Sequence, residues 1–220
     1  MTAAVEKRAH IWERDGLDWY VEPPGATEAL LRAERFVGPC FDPCCGGGNI
    51  VEALRAAGYD AAGSDVVRRT SAGWFYGVAD FLGTDYSAHR ARLANIVMNP
   101  PFFRAKGAES FIRKALEVAT GKVCAFVDIK FLAGTGRANG LFAEHPPHRV
   151  WVITPRPSCP PGEFLAAGNE AGGGTADWCW LVWDKTAPAG RAEFGWLRKA
   201  GAVTAIREDA MPVAEPSEAA

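Results

Sequence analysis

Apolar residues fall along this chain in short blocks set apart by glycine, proline and charge. Some blocks are continuous and β-branched, others recur at helical spacing. The blocks at 40–42, 60–65, 74–79, 94–98, 122–127, 149–153 and 178–183 are too short for helices and predict strands. Between them, 28–36, 49–57 and 109–119 carry helical spacing. Thr27 is placed to cap the first helix after a break at Pro23-Pro24-Gly25, and Gly38-Pro39 ends it. Gly58 closes the second. Short strands alternating with helices predict an α/β fold, a mostly parallel sheet covered on both faces. The last two strands are separated by a Pro- and Gly-rich loop over 155–175. The first 15 residues read as a frayed or weakly helical start. No repeat or second domain boundary appears, so one domain is expected over 1–204, with a flexible tail over 205–220.

Composition narrows the class. With 48% hydrophobic and 23% charged residues, the 220-residue chain is expected to be globular. No apolar run approaches bilayer-spanning length, and the start lacks an apolar signal core, so a cytoplasmic protein without membrane partners is expected. Six cysteines, two of them adjacent, make a poor disulfide framework. Cys40, Cys44 and Cys45 have no matching second pair, so small buried residues are expected there and no metal. No Ser/His/Asp or Cys/His arrangement is legible, and His145-Pro146-Pro147-His148 reads as a turn. Net charge is only −2, but residues 98–160 hold nine basic against four acidic side chains. A polyanion could be met there.

Four motifs carry chemistry. Asp42-Pro43-Cys44-Cys45-Gly46-Gly47-Gly48-Asn49 stands between a strand and a helix, where a glycine turn lets a ligand approach backbone N–H groups. A dinucleotide site wants a third spaced glycine, and Val51 stands in its place. S-adenosylmethionine has no phosphate and carries an ammonium that suits Asp42. Asp65 ends the next strand, about 20 residues on, placed to accept ribose hydroxyls. Asp80-Phe81 follows the third strand; the acid there either accepts from an adenine amino group beside the Phe81 ring or caps the next turn. Asn99-Pro100-Pro101-Phe102 follows the strand at 94–98. An exocyclic amine is a poor nucleophile because its lone pair is delocalised into the ring. If the Asn99 side-chain oxygen and the Pro100 carbonyl accept its two hydrogens, the lone pair can turn toward a sulfonium methyl. Pro101 stiffens the turn and Phe102 can stack on the target ring.

In these motifs the chain resembles class I S-adenosylmethionine-dependent amino-methyltransferases, and among them the phage- and prophage-type DNA adenine-N6 methyltransferases. Asp42–Gly48 resembles the family's Asp-Pro-x-x-Gly-x-Gly motif, and Asn99-Pro100-Pro101-Phe102 its Asn/Asp-Pro-Pro-Tyr/Phe motif. Asp18-Trp19-Tyr20-Val21-Glu22-Pro23-Pro24 resembles the segment that closes over the methionine end. Gly173-Gly174-Thr175-Ala176-Asp177-Trp178-Cys179-Trp180 resembles the late strand hairpin. The resemblance implies a Rossmann-like sheet with a late antiparallel hairpin. It implies S-adenosylmethionine as cofactor, held by Tyr20, Pro23, Asp42, Pro43, Cys44, Gly46, Gly48, Asn49, Asp65, Asp80 and Phe81. It implies DNA as partner, with adenine flipped into the Asn99 motif and Phe103, Lys130, Arg137 and Arg156 on the substrate side. RNA-adenine and protein-glutamine methyltransferases use similar motifs, and a binding protein without turnover is the further alternative. Glu22 departs from the pattern, since many relatives carry Thr there. No separate target-recognition domain is expected within these 220 residues.

Overall fold

The computed structural model describes residues 18–199 apart from 104, 105 and 189. The start expected over 1–15 and the tail expected from 205 lie outside the described residues. Eight strands form one sheet: β1 (Cys40–Asp42), β2 (Ala61–Asp65), β3 (Phe75–Val78), β4 (Asn95–Met98), β5 (Lys122–Asp128), β6 (Arg149–Thr154), β7 (Trp178–Asp184) and β8 (Glu193–Arg198). Their spatial order is β3-β2-β1-β4-β5-β7-β6-β8. β1 to β5 run parallel; β7 is antiparallel to both β5 and β6, and β8 runs parallel to β6. The strand order turns around at β1, which pairs with β2 on one side and β4 on the other. In parallel sheets that switch point opens a crevice at the carboxyl ends of the strands, where ligands bind.

Helices α1 (Pro24–Ala33), α2 (Asn49–Ala56) and α3 (Lys106–Val118) join short helices α4 (Thr135–Asn139), α5 (Leu141–Glu144) and α6 (Gly162–Ala166). α3 buries Ala108, Phe111, Ile112, Ala115 and Val118, spaced three or four apart, on one face of the sheet with Ile96 and Met98. α1 and α2 cover the other face, where Leu30, Ile50 and Leu54 meet Val97, Cys124 and Phe126. β7 is buried throughout. Its alternate residues divide between the two cores, Trp178, Trp180 and Val182 on one and Cys179, Leu181 and Trp183 on the other. The tryptophans are therefore core residues, and Trp180 Nε1 donates to the Ala26 carbonyl at 3.0 Å.

Two local expectations need correction. Thr27 does not cap α1: it is buried inside the helix and Pro23 is the N-cap. Pro24 opens the first turn, because its fixed φ suits that position and its missing N–H costs no helical bond there. The proline pair therefore starts the helix, where the sequence reading had it break the chain. α1 also stops at Ala33, before the expected Phe36, because Glu34 turns to extended backbone. Its buried carboxylate accepts from Arg149, Lys122 and Trp151. The second correction is β8, which no apolar block announced. It keeps Leu197 against the core and exposes Phe194 and Trp196.

Candidate active site

A pocket of about 410 Å³ opens at the carboxyl ends of β1, β2, β3 and β4. The glycine turn forms its floor. Gly46 and Gly48 have φ of +51° and +102°, backbone that side chains rarely adopt. A Cβ on Gly46 would lie 2.6 Å from Trp19 Nε1, so the bare position also makes room for that indole. Gly48 accepts the Glu52 N–H at 2.8 Å and starts α2.

Asp65 fixes this turn. Its Oδ2 accepts the Gly46 N–H at 2.8 Å. Its Oδ1 accepts the Val67 N–H at 3.0 Å and Arg69 Nη1 at 2.7 Å. The Arg69 guanidinium lies 4.3 Å from the Trp19 ring centre. Three of the carboxylate's lone-pair sites are spent in this way, and one remains for a ligand.

The segment 18–22 forms the pocket's outer wall. It is tied to the chain before α6 by Val21 N–H to Pro160 O at 2.9 Å and Gly162 N–H to Trp19 O at 2.8 Å. Asn49 Nδ2 donates to the Glu22 carbonyl at 2.8 Å. Asp18 Oδ2 accepts the Phe103 N–H at 2.6 Å, holding Phe103 at the rim with φ +33° and the residue 48% exposed.

Asn99 follows β4 directly, in the middle of this arrangement. Its Nδ2 donates to the Tyr20 carbonyl at 2.9 Å and to Glu22 Oε2 at 2.8 Å. A carbonyl can only accept, so the nitrogen of the amide must face that way. Asn99 Oδ1 is buried and has no hydrogen-bond partner. A buried acceptor left unmade costs about 1–3 kcal/mol, so this atom is poised for a donor.

The electrostatics are one-sided. Asp18, Glu22, Asp42, Asp65 and Asp80 line the pocket, with Arg69 as the one basic side chain among its described lining. Burial lifts the Asp42 carboxyl well above the usual range, and the neighbouring Glu22 and Asp65 charges lift it further. Burial also raises Glu22 to about 7, against the pull of its own backbone N–H and of Asn99. The Cys44 thiol, raised mainly by burial and then by Asp42, donates to the Asn99 carbonyl at 3.4 Å and is no nucleophile. Among the described residues, no group of three or more His, Cys, Asp or Glu side chains is placed to hold a metal.

No protein-family model and no curated protein matches this chain. Solved structures do. A protein assigned as an RNA methyltransferase from Pyrococcus horikoshii superposes with a TM-score of 0.58 at 17% identity, over 81% of this chain and 91% of that one. The modification subunit assigned to a type I restriction enzyme from Vibrio vulnificus gives 0.54 at 13% identity, over 80% of this chain and 46% of that longer one. A protein assigned as a hemolysin from Lactococcus lactis gives 0.52 at 14%, over 78% and 89%. The fold is that of the class I methyltransferases.

On this methyltransferase fold, the pocket collects Tyr20, Asp42, Pro43, Cys44, Gly46, Asn49, Asp65, Asp80, Phe81, Asn99, Pro101 and Phe103 of the expected site residues. Asp80 both lines the pocket and accepts the Leu82 N–H at 3.0 Å, so it also holds the turn that follows β3. Pro23, Gly48, Pro100 and Phe102 stand behind the lining. Phe102 is half-buried, edge-on to Trp178 with ring centres 5.6 Å apart. Lys130 and Arg156 follow β5 and β6, so the topology puts both on the pocket's edge of the sheet. Arg156 is paired with Asp177 at 2.6 Å. Arg137 folds back onto Phe131, whose carbonyl it meets at 2.6 Å. The sequence reading did not pick out Trp19 or Arg69 individually, or Glu22 as a partner of Asn99. The one signal for Glu22 was its acid in place of the usual Thr.

Proposed function

We propose that this protein is an S-adenosylmethionine-dependent methyltransferase that methylates the exocyclic N6 amine of adenine in DNA. The observation that carries the reading is Asn99: its amide nitrogen is spent on Tyr20 and Glu22, and its oxygen stands buried and unpaired beside an acidic pocket. The cofactor fits the donor set. Five lining carboxylates oppose a phosphate-bearing dinucleotide and favour a ligand with positive sulfonium and ammonium groups. The pocket's size is also in the usual range for such ligands.

S-adenosylmethionine supplies, when bound, a methyl group on a positively charged sulfur. Asp42 and Glu22 face the ammonium end. The remaining lone pair of Asp65 and the carboxylate of Asp80 serve the ribose and adenine. Asn99 Oδ1 accepts one hydrogen of the acceptor amine and the Pro100 carbonyl the other. The nitrogen lone pair would thereby be directed at the methyl carbon that the bound cofactor would supply, and the amine's surplus proton would pass to water. Phe103 at the rim offers an aromatic face to a flipped base.

The DNA assignment rests on the resemblance of the Asn-Pro-Pro-Phe motif. The fold likeness to a restriction modification subunit accords with it, and the likeness to an RNA methyltransferase makes RNA the acceptor to test against. The test is transfer of labelled methyl to unmethylated genomic DNA, total RNA and a protein extract in parallel. We expect N6-methyladenine in DNA, abolished by Asn99→Ala with cofactor Kd unchanged within threefold. Label confined to RNA or protein would overturn the DNA assignment. Full activity of Asn99→Ala would overturn the amine geometry.

A further inference from the structure

Glu22 is a buried acid, 7% exposed, on a loop where solvent would otherwise keep it charged at little cost. It sits at the N-terminal edge of α1 and sends Oε2 to Asn99 Nδ2 at 2.8 Å, 77 positions away in sequence. Its own carbonyl is clamped by Asn49 at 2.8 Å. The segment on either side is fixed as well, through Val21 to Pro160 and Pro23 to the first turn of α1. The backbone that carries the carboxylate is therefore fixed, and an amide turned over would set Asn99 Oδ1 against Glu22 Oε2, two acceptors with no hydrogen between them, so the carboxylate favours one of two orientations.

We propose that Glu22 is a positioning residue that fixes the rotation of the Asn99 side chain, so that Oδ1 and not Nδ2 is offered to the acceptor amine. This rests on the amine-methylation reading above. The chemistry gives the choice its importance. An amide can present either a donor or an acceptor to its neighbour, and an amine that must lose its planar conjugation needs the acceptor. The Tyr20 carbonyl supplies one anchor for the nitrogen, a neutral hydrogen bond. The bond to an ionised carboxylate is stronger and makes the preference firm.

A proton is the natural probe. A neutral carboxyl group loses the charge-assisted part of the bond and has an O–H of its own to place, so the hold on Asn99 weakens as Glu22 takes up a proton. Glu22 is ionised above about 7 and protonated below it, because burial raises its carboxyl. The groups that face it are Asp42 from the end of β1 and Cys159 from the chain ahead of α6; Asp65, held by Arg69, lies behind Asp42. Glu22→Gln keeps these side chains but removes the Glu22 charge that raises Asp42, so Asp42→Asn is followed beside it, and a resonance shift that persists in Asp42→Asn and is lost in Glu22→Gln belongs to Glu22.

The experiment pairs a spectroscopic readout with kinetics. The Asn99 side-chain amide resonance, identified by its loss in Asn99→Asp, is followed by nitrogen–proton correlation from pH 5.5 to 8.5. We expect it to move with a midpoint near 7 in the native protein, and to stay fixed in Glu22→Gln. At saturating cofactor, whose cation favours the charged carboxylate, kcat of the native enzyme should rise with pH through a midpoint below that of the ligand-free resonance. Glu22→Gln should be pH-independent at the native enzyme's low-pH level, and Glu22→Ala at least tenfold below the native high-pH value. Saturation keeps any change in cofactor affinity out of kcat. A native amide resonance that does not titrate overturns the proposal, as does a Glu22→Ala kcat within twofold of native. If the resonance titrates as expected while Asn99→Ala remains fully active, the amine-methylation reading fails and the positioning of the amide stands on the resonance.

Discussion

Replacing Asp65 by alanine separates two roles that one carboxylate performs. Oδ2 holds the Gly46 N–H and Oδ1 holds the Val67 N–H and Arg69, all in the protein without ligand. Those bonds exist before and after a cofactor arrives, so their loss falls mainly on stability. The Gly46 donor is left buried, a cost of ~1–3 kcal/mol. For a chain of this size that lowers Tm by roughly 2–12 °C. The remaining lone-pair site is the one a ribose hydroxyl can reach. A hydrogen bond to a charged acceptor is worth ~1.5–3 kcal/mol, or about a 10–150-fold weaker Kd for S-adenosylmethionine when it is lost. Calorimetric titration with S-adenosylmethionine, below the variant's melting range, measures the second quantity, and thermal denaturation the first. Asn99→Ala is the control, with an expected Kd within threefold of native. An Asp65→Ala Kd within threefold of native would remove Asp65 from the ribose site and refute the assignment, whatever happens to Tm.

Further outcomes follow from the buried ion pairs and from the Asn99 motif. Glu34→Ala strands Arg149 and Lys122 beside a nearly buried position and should destabilise by ~3–5 kcal/mol in a denaturant titration. Glu34 works against burial, yet Arg149, Lys122 and Trp151 hold it below its ordinary value; Asp184 works against burial too, and Thr186 and Arg149 bring it to about 2. Both folded values are depressed, so their stabilisation is complete above the unfolded carboxylate range and is lost as pH falls from about 4.5 toward 2. A double variant Glu34→Gln, Asp184→Asn with an unchanged acid slope would contradict this. The two neighbouring phenylalanines should also part company. Phe102→Ala, which empties a site against Trp178, should cost ~3 kcal/mol or more of stability. Phe103→Ala should leave stability within ~0.5 kcal/mol and raise the acceptor KM about tenfold, as loss of a stacked base would; equal KM values for Phe103→Ala and native would exclude stacking there.

The parts of the site that were legible in sequence are those whose chemistry lies in one stretch of chain. The glycine turn follows its strand directly, and Asn99 follows β4 directly, so strand, turn and chemistry could be read together. The rest depends on chain returns. Trp19 and Glu22 belong to the pocket because 18–22 pairs with 160–162, a contact between segments whose own patterns are unremarkable loops. Arg69 is defined by Asp65 and Trp19 together. α1 was misplaced because Thr27 suits a cap by type, while the preceding prolines had already set the first turn. β8 escaped because an edge strand with Phe194 and Trp196 facing outward reverses the usual sign of the hydrophobic pattern.

The acidity of the pocket has a thermodynamic consequence that binding should reveal. Glu22 and Asp42 are both raised by burial, and the Glu22 charge raises Asp42 further; the described lining places no basic group against them except Arg69, which Asp65 already holds. Near neutral pH the ligand-free pocket therefore retains protons. A ligand that brings an ammonium and a sulfonium beside these groups favours their charged forms, and the protons must leave as it binds. Affinity for S-adenosylmethionine should then increase as pH rises from 6 to 7.5, by up to about tenfold per pH unit for each proton released. Titrations in two buffers of different ionisation enthalpy read the proton number directly. Glu22→Gln should lower it, since one of the two groups no longer titrates. S-adenosylhomocysteine, which lacks the sulfonium charge, should release fewer protons than S-adenosylmethionine. Identical heats in both buffers, with a Kd that is flat across this range, would mean that the carboxylates do not face the cation, and the placement of the methionine end against Asp42 and Glu22 would have to be abandoned.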